Sequence, residues 1–272
     1  MTRLHLHLVS DSTGETLESM VKAGLAQFSG VDAVKHYWPM VRSEGHLERV
    51  LDEVARTPGL VLYTLVARSV RARLETRCAA LGLPVIAVMD PVMEGLERML
   101  GTRAASKPGG QHRMDEAYFG RIEAIHWTME HDDGLLPQEW EEADLVLAGV
   151  SRSSKTPTSI YLANRGYRVA NIPLVPSRPL PPELFELKNP LIVGLTVSPE
   201  RLIQVRRARM LGQEAAGVAA RYADPETIAD ELNAARRLFA DRGWPAIDVT
   251  RRSIEETAAE VIKLLGLRRE VG

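Results

Sequence analysis

An octapeptide with residues suited to binding phosphate lies in the second half of the chain: GVSRSSKT, from Gly149 to Thr156. It follows an apolar run typical of a buried strand and precedes a segment with helical periodicity, which is the context that a phosphate-binding loop requires. In such a loop, backbone N–H groups surround a phosphate, a lysine donates to its oxygens and a threonine can ligate magnesium. We therefore predict a nucleotide site, with Lys155 in a catalytic role and Thr156 as a Mg²⁺ ligand. The predicted nucleotide-binding residues of the loop are Gly149, Val150, Ser151, Arg152, Ser153, Ser154, Lys155 and Thr156.

One position departs from the strict loop pattern, which has glycine immediately before the lysine, whereas this chain has Ser154. If the backbone there requires a positive φ, a residue other than glycine costs about 1–2 kcal/mol, which surrounding contacts can offset. The alternative interpretation is an ordinary serine-rich turn between a strand and a helix. We also expect the Lys155 side chain to be exposed, so that its replacement by alanine changes the free energy of unfolding by less than about 1 kcal/mol.

Phosphoryl transfer to a hydroxyl group needs a base or an orienting carboxylate, and three aspartates are candidates. Asp132 and Asp133 lie in the tetrapeptide HDDG, and Asp11 follows the first predicted strand. His131, in the same tetrapeptide, could contact phosphate when it is protonated. The alternative interpretation of HDDG is a polar turn that ends a helix, and the sequence does not choose among these candidates.

Two further segments could contribute to an anion site. Arg201 and Arg206 lie on a predicted helix after a strand, and we predict that they close over the nucleotide as a lid; the alternative is a solvated basic face. In SDSTGET, Ser12 and Glu15 have the spacing of a capping box, which favours a plain helix start. Gly14, at the same helix start, could instead hold inorganic phosphate.

Strand-like and helix-like segments alternate along the chain, which predicts an α/β fold with parallel sheets. LHLHLVS, AVKHYWP, LVLYTLV and PVIAVMD each precede a helical pattern in the first half. The second series begins at ADLVLAGV, includes RVANIPL, PLIVGLTV and PAIDV, and ends in a helix that Ser253 and Glu256 begin as a capping box. We predict an N-terminal parallel-sheet α/β domain at 1–105, a linker and bridging helix at 106–140, and a P-loop kinase-like α/β domain at 141–272.

Composition narrows the class of protein. A length of 272 residues favours two domains, and a formal net charge of −2 gives no electrostatic reason to expect a nucleic-acid or membrane partner. The single cysteine, Cys78, precludes an intrachain disulfide and fits a reducing compartment. The N-terminus lacks the long apolar stretch of a signal peptide or membrane helix, so we expect a cytoplasmic protein. The oligomeric state stays open, with a homodimer as one option.

Several segments in a fixed order resemble one known family. GVSRSSKTPTSIYLANRG, with HDDG before it and GLTVSPERL and IDVTRRSIEETAAEV after it, resembles the bacterial pyruvate, phosphate dikinase regulatory proteins. LVSDSTGETL is similar to the opening segment of that family, so the resemblance runs through nearly the whole chain. The family is related to the regulators of phosphoenolpyruvate synthase, and the Ser-Ser-Lys-Thr form of the loop is more similar to the dikinase branch.

The resemblance implies a bifunctional enzyme whose substrate is the protein pyruvate, phosphate dikinase. In one reaction, ADP donates a phosphoryl group to an active-site threonine of the dikinase, whose neighbouring catalytic histidine is phosphorylated, and the dikinase is inactivated. In the other, inorganic phosphate removes that group and pyrophosphate is released. Three alternatives stay open: the same chemistry on phosphoenolpyruvate synthase, a P-loop kinase for a small metabolite, and a nucleotide sensor without chemistry.

Overall fold

The chain folds into two compact units, Met1–Arg113 and Met114–Gly272. The structure is a computed structural model, and it describes residues 2–105, 108–110, 116–176, 178–210 and 222–271. Each unit contains a four-stranded sheet in which all pairings are parallel, with helices between the strands. The predicted two-part α/β fold is therefore confirmed.

The first unit orders its strands β2-β1-β3-β4. Side chains of the central strand β1 alternate between the two faces, because successive residues of a strand point to opposite sides. Val9 packs into a cluster with Leu47 and the buried thiol of Cys78, whereas Leu8 packs on the other face with Leu17. The strands are β1 (Thr2–Ser10), β2 (Val31–Trp38), β3 (Leu60–Thr64) and β4 (Val85–Ala87), and the helices are α1 (Glu15–Leu25), α2 (Glu44–Arg56), α3 (Arg68–Ala80) and α4 (Asp90–Leu100).

The start of α1 corrects one prediction. Ser12 and Glu15 do not form a capping box, because the N-cap residue is Gly14 and no side chain caps the helix. Gly14 has a φ of 86°, a left-handed conformation that glycine adopts without steric cost. The turn after β1 therefore depends on the glycine rather than on a serine hydroxyl.

The second unit orders its strands β6-β5-β7-β8. The central strand β5 is entirely buried, and one large cluster that includes Leu145, Leu147, Leu195 and Phe239 forms the core. Gly194 is required here, since an added Cβ atom would lie 2.5 Å from the Phe239 ring. The strands are β5 (Leu145–Gly149), β6 (Val169–Pro173), β7 (Leu191–Thr196) and β8 (Ala246–Asp248), and the helices are α5 (Glu116–Glu130), α6 (Lys155–Ala163), α7 (Pro199–Met210), α8 (Pro225–Arg242) and α9 (Ile254–Val271).

Two predictions about helices of the second unit can be compared with the structure. At α9 the predicted capping box is present: the Ser253 N–H donates to Glu256 Oε2 at 2.8 Å, and the Glu256 N–H donates to Ser253 Oγ at 3.1 Å. Helix α5, predicted as part of a bridging segment, belongs to the second unit and contacts α6 and β6 there. The proposed limits of a separate linker at 106–140 stay a prediction.

Strand β6 lies at one edge of the second sheet, and its free edge is covered. The Val169 N–H donates to Thr128 Oγ1 of α5 at 3.0 Å, and the Asn171 N–H donates to the His131 carbonyl at 3.3 Å. Pro173, the next residue on that side, has no N–H to donate. The edge thus presents no unpaired donor to another strand, and the HDDG turn is fixed beside the sheet.

Among the described helices, none combines the length and the apolar character needed to cross a membrane.

Candidate active site

The phosphate-loop segment joins the buried strand β5 to the N-terminus of α6, as the sequence predicts. Gly149 ends the strand at a point where the chain folds back on itself. A Cβ atom there would lie 2.5 Å from Ser153 Oγ and 2.8 Å from the Leu195 carbonyl oxygen. Because the carbonyl belongs to the backbone of β7, only glycine fits this position without moving the sheet or the loop.

Two residues of the loop adopt the left-handed conformation. Arg152 has a φ of 74°, and Ser154 has a φ of 63° and a ψ of 22°. Each costs about 1–2 kcal/mol relative to an ordinary conformation, because neither is glycine. The position that departs from the strict motif therefore does have the backbone geometry for which glycine is usually selected. Ser154 is also the N-cap of α6, and its hydroxyl does not cap the helix.

Lys155 is buried, with 5% of its surface exposed, which corrects the expectation of an exposed side chain. Its ammonium donates to the Val150 carbonyl at 3.1 Å, so the side chain curls back over the loop. Burial lowers the pKa of Lys155 from 10.5 to about 8, although the charges of Asp133 and Asp132 act to raise it. Removing this side chain would thus disturb packing within the loop as well as charge.

The HDDG tetrapeptide forms a tight turn after α5, which we call the acid turn (His131–Gly134). Asp132 accepts hydrogen bonds from Thr156 Oγ1, at 2.9 Å, and from the side-chain amide of Asn171. Asp133 has a φ of 51° and is exposed, and its carboxylate makes no hydrogen bond to any residue in the described ranges. The turn therefore places one held carboxylate and one free carboxylate beside the phosphate loop.

A cleft of about 300 Å³ opens where the loop, the acid turn and α7 meet. Lys155, Thr156 and Asp133 all line this cleft, so a cationic, a hydroxyl-bearing and an acidic residue meet at one volume. Lys155 and Thr156, which begin α6, have backbone N–H groups that no side chain caps, and uncapped N–H groups at a helix N-terminus suit an anion. The full lining is Asp133, Ser151, Arg152, Ser154, Lys155, Thr156, Pro157, Pro173 and Val205.

Three other loop residues, Val150, Ser151 and Ser153, have different surroundings. Val150 is fully buried and provides the carbonyl that Lys155 contacts. Ser151 Oγ lies 3.0 Å from the hydroxyl of Tyr222, a residue just before α8. The Ser153 hydroxyl is fully buried and has no hydrogen-bond partner in the described part of the chain.

His131, a candidate for contacting phosphate, does not reach the cleft. Its ring has no exposed surface and stacks on Trp127 with the centroids 3.6 Å apart. One ring nitrogen lies 2.6 Å from the Trp127 carbonyl and the other 3.2 Å from Glu139 Oε2. With both nitrogens engaged inside the protein, His131 anchors the acid turn to α5.

The two predicted lid arginines have different surroundings, and neither lines the cleft. Arg201 is exposed on α7, whereas Arg206 is 1% exposed and forms an ion pair with Glu231 of α8. The Arg206 guanidinium also donates to the carbonyls of Ser151, at 3.3 Å, and Tyr222, at 2.9 Å. Arg206 therefore supports the phosphate loop by donating to the backbone carbonyl of Ser151, and it does so outside the cleft.

Tyr222 packs against Arg206 and adds to this support of the loop; it was not among the residues predicted from the sequence. Arg206 lies over its ring, with 4.6 Å between the guanidinium carbon and the ring centroid. Burial would raise the pKa of the Tyr222 hydroxyl, but hydrogen bonds from Ser151 and Arg152 and the charge of Arg206 lower it below its usual value. No local motif marks this tyrosine, because its partners lie far away in sequence.

Asp11 belongs to the first unit and not to this cleft. Its carboxylate accepts from the Val66 N–H at 2.7 Å, and its carbonyl accepts from Arg42 Nε at 2.7 Å. Burial raises the pKa of Asp11, while the Val66 N–H and the charge of Arg42 act to lower it. It lines a separate cleft of about 420 Å³ at the ends of β1 and β3, together with Ser12 and Gly14.

The second functional residue that sequence reasoning missed is Asn171. It occupies the middle of β6 without exposed surface and bonds the acid turn through its side chain. A weak signal exists in the sequence, since RVANIPL contains one polar residue inside an apolar strand pattern. A buried amide needs partners, but the pattern does not say which residues provide them.

The parallel sheet, the strand–loop–helix unit and the lysine at the helix start define an α/β protein of the phosphate-loop class. A family model described as kinase/pyrophosphorylase matches residues 6–262, and the chain belongs to this family.

Relatives named as regulatory proteins of pyruvate, phosphate dikinase align over nearly the full length. A protein of Rhizorhabdus wittichii is 62% identical over 268 residues, which cover 98% of this chain and 97% of the relative. One of Novosphingobium aromaticivorans is 62% identical over 272 residues, covering 100% and 97%. One of Erythrobacter litoralis is 60% identical over 264 residues, covering 97% and 95%. The resemblance stated from the sequence is thereby confirmed.

Proposed function

We propose that this protein is a bifunctional regulator of pyruvate, phosphate dikinase, acting as an ADP-dependent threonine kinase and a phosphate-dependent pyrophosphorylase. The observation that carries the proposal is the cleft in which Lys155 and the free carboxylate of Asp133 both line the space beside the N-terminus of α6. The family description and the names of the relatives supply the reaction class and the protein target. The cytoplasmic location and the oligomeric state stay predictions.

In the kinase direction, the threonine oxygen of the target attacks the β-phosphorus of ADP and the bond to the bridging oxygen breaks. AMP leaves with the electron pair, and the hydroxyl proton passes to Asp133. A general base of this kind contributes about 10²–10⁴-fold to a rate. We assign the role to Asp133 rather than Asp132, because Asp133 lines the cleft and Asp132 does not, and because Oδ1 of Asp132 already accepts two hydrogen bonds.

In the opposite regulatory direction, an oxygen of inorganic phosphate attacks the phosphorus of phosphothreonine and the bond to the threonine oxygen breaks. The proton of the attacking hydrogen phosphate passes to Asp133 and from there to the released threonine oxygen, and pyrophosphate forms. Both reactions move a phosphoryl group between a threonine oxygen and a phosphate oxygen. We infer that a single cleft serves both, with inorganic phosphate taking the place of the α-phosphate of ADP.

Phosphoryl transfer depends on positioning and on neutralising the charge of the phosphate oxygens. In our proposal, groups of the phosphate loop neutralise this charge. Lys155 supplies a cation, the amides at the start of α6 supply donors, and Arg152 lines the same cleft. Arg206 and Tyr222 hold the loop in shape. Arg201 is exposed and stays a predicted contact for the nucleotide.

Magnesium would be held by Thr156 Oγ1 and the Asp132 carboxylate, whose Oδ1 lies 2.9 Å from that hydroxyl, because both are hard oxygen ligands of the kind that this ion prefers. The described residues contain no group of three or more His, Cys, Asp or Glu side chains placed to hold a metal. A magnesium site built from few protein ligands agrees with its usual reliance on water and substrate phosphates. When bound, the ion would neutralise charge on the phosphate oxygens.

The proposal predicts that Asp133→Asn strongly lowers both activities. Purified protein is incubated with ADP, magnesium and histidine-phosphorylated dikinase, and phosphothreonine is measured; pyrophosphate release from phosphorylated dikinase is measured in parallel. We expect both rates to fall by about 100-fold or more, because the base is lost while the fold is kept. The matched control is Asp230→Asn, the same chemical change on the exposed surface of α8, which should leave both rates unchanged.

Other results of these assays would favour the alternative functions. Transfer to phosphoenolpyruvate synthase but not to the dikinase would change the target and keep the chemistry. ATP-dependent phosphorylation of a free metabolite would favour a small-molecule kinase. Tight ADP binding by the folded protein without transfer or pyrophosphate release would contradict the enzymatic proposal and favour a sensor.

A further inference from the structure

Asn171 is a buried polar residue at the centre of an apolar strand. It pairs in register with Leu147 of β5, and neither residue has exposed surface. An amide in such a position destabilises the fold unless its donor and acceptor are both satisfied. The partners that satisfy it lie in the acid turn, 39 positions earlier in the chain for the contact with Asp132.

One residue of β6 bonds three successive residues of the acid turn. The Asn171 Nδ2 donates to the Asp132 carboxylate, and its Oδ1 accepts from the Asp133 N–H at 3.3 Å. Its own backbone N–H donates to the His131 carbonyl. A secondary contact links Nδ2 to Ser159 Oγ of α6 at 3.4 Å.

The arrangement requires the donor and acceptor pattern of an amide. A carboxylate can only accept and a backbone N–H can only donate, so the residue between them must offer one of each. An ionised aspartate would set a negative charge against Asp132, and a leucine would offer neither group. The bond to the Asp133 N–H also holds a residue whose positive φ is costly without such support.

We propose that Asn171 is a positioning residue for phosphoryl transfer. It fixes the acid turn so that the Asp133 carboxylate stays in the cleft with Lys155 and the Asp132 carboxylate stays beside Thr156. The inference rests on the proposed function of Asp133 as the base. Asn171 itself has no exposed surface and does not line the cleft, so it acts through the two aspartates.

Two variants at this position test the inference. Asn171→Leu removes both hydrogen-bonding groups at similar volume, and we expect kcat for phosphothreonine formation to fall about 100-fold, with little change in KM for ADP, because the base is misplaced while the loop remains. Asn171→Asp restores the donor only when its carboxyl group is protonated. Its kcat relative to wild type should therefore rise as the pH falls below neutral, whereas that of Asn171→Leu stays low at every pH.

The matched control is Thr128→Val. Thr128 is also buried, and its hydroxyl accepts from the N–H of Val169 on the same strand; within the described residues it makes no hydrogen bond to the aspartates of the turn. This variant should lose thermal stability while keeping the wild-type kcat and pH profile. A merely structural role for Asn171 would make its variants behave in the same way, and that result would overturn the inference.

Asp133→Asn is assayed alongside these variants. An active Asp133→Asn enzyme would overturn the assignment of the base together with the inference built on it. An inactive Asp133→Asn enzyme with a fully active Asn171→Leu enzyme would overturn the inference alone. A constant ratio of Asn171→Asp to wild-type kcat across the pH range would also contradict it.

Discussion

At the scale of single residues, the two adjacent aspartates show how surroundings separate groups of identical chemistry. Asp132 is held by Thr156 and Asn171, while Asp133 keeps its carboxylate free and exposed. The two donors hold Asp132 in place, and of the two aspartates only Asp133 lines the cleft. The division of roles that we propose, with Asp133 as the base and Asp132 as a metal ligand, is based on these contacts and not on the residue types.

Lys155 leads to a prediction about pH. Burial lowers its pKa to about 8, so below that pH the ammonium is charged and above it the amine is increasingly neutral. Phosphate binding favours the charged form and raises this pKa, so binding above about pH 8 must take up a proton. We expect the affinity for ADP to fall by up to about tenfold for each pH unit above 8.

Calorimetric titration of ADP in buffers from about pH 7 to about pH 9.5 measures both the affinity and the proton uptake. The control is Lys155→Met, which keeps a long apolar stem without the charge and should bind weakly with little dependence on pH. An affinity of the wild-type protein that stays constant over this range would contradict the assignment of Lys155 to the phosphates.

At the scale of elements, α6 begins in an unusual way. Its N-cap, Ser154, is left-handed and makes no capping bond, whereas the N-cap of α2, Ser43, has a φ of −128° and accepts from the His46 N–H. The same residue type thus caps one helix and strains the start of another. Strain at a helix start that lines the cleft is consistent with a backbone shaped for a ligand rather than for stability.

The contrast predicts opposite effects of one substitution at two helices. Ser154→Gly should stabilise the protein by about 0.5–1 kcal/mol, because relief of the left-handed strain exceeds the added entropy of the unfolded chain. Ser43→Gly should destabilise it by a few tenths of a kcal/mol or more, because a working cap is lost. Chemical denaturation measures both, and a destabilised Ser154→Gly protein would show that contacts of the hydroxyl outweigh the strain.

At the scale of the whole molecule, the two units repeat one arrangement. In each, the first strand pairs with the second and the third, and the fourth lies beside the third. Clefts in such sheets form at the carboxyl ends of the strands, where the connections diverge to opposite sides. Both clefts described above occupy that place, but only the second contains a lysine at the start of the helix.

Each unit has its own sheet and its own buried clusters, so we predict that the second unit is self-sufficient for nucleotide binding. A fragment that begins at Met114 should show cooperative unfolding and bind ADP with an affinity close to that of the full chain, as measured by calorimetry. The same fragment with Lys155→Met serves as the control for specific binding. A folded fragment that fails to bind ADP would show that the first unit contributes to the site.

Much of the fold and part of the site could be predicted because the signals are local. The alternation of strands and helices, the capping box of Ser253 and Glu256, and the phosphate loop each depend on residues within a few positions of one another. Such patterns fix which segments form and which face they bury. They identified the loop even though Ser154 departs from the strict motif.

Only the tertiary structure decided the surroundings of the polar side chains, because these depend on contacts between segments that are distant in sequence. It buried Lys155 and Arg206, withdrew His131 from the cleft, and joined Asn171 to Asp132 across 39 positions. Whether a charged side chain faces a ligand or another part of the protein depends on which elements pack beside it, and no spacing in the sequence records that packing. The sequence by itself determined the elements and the phosphate loop; the packing of α5, β6, α7 and α8 around that loop determined the role that each polar residue can have.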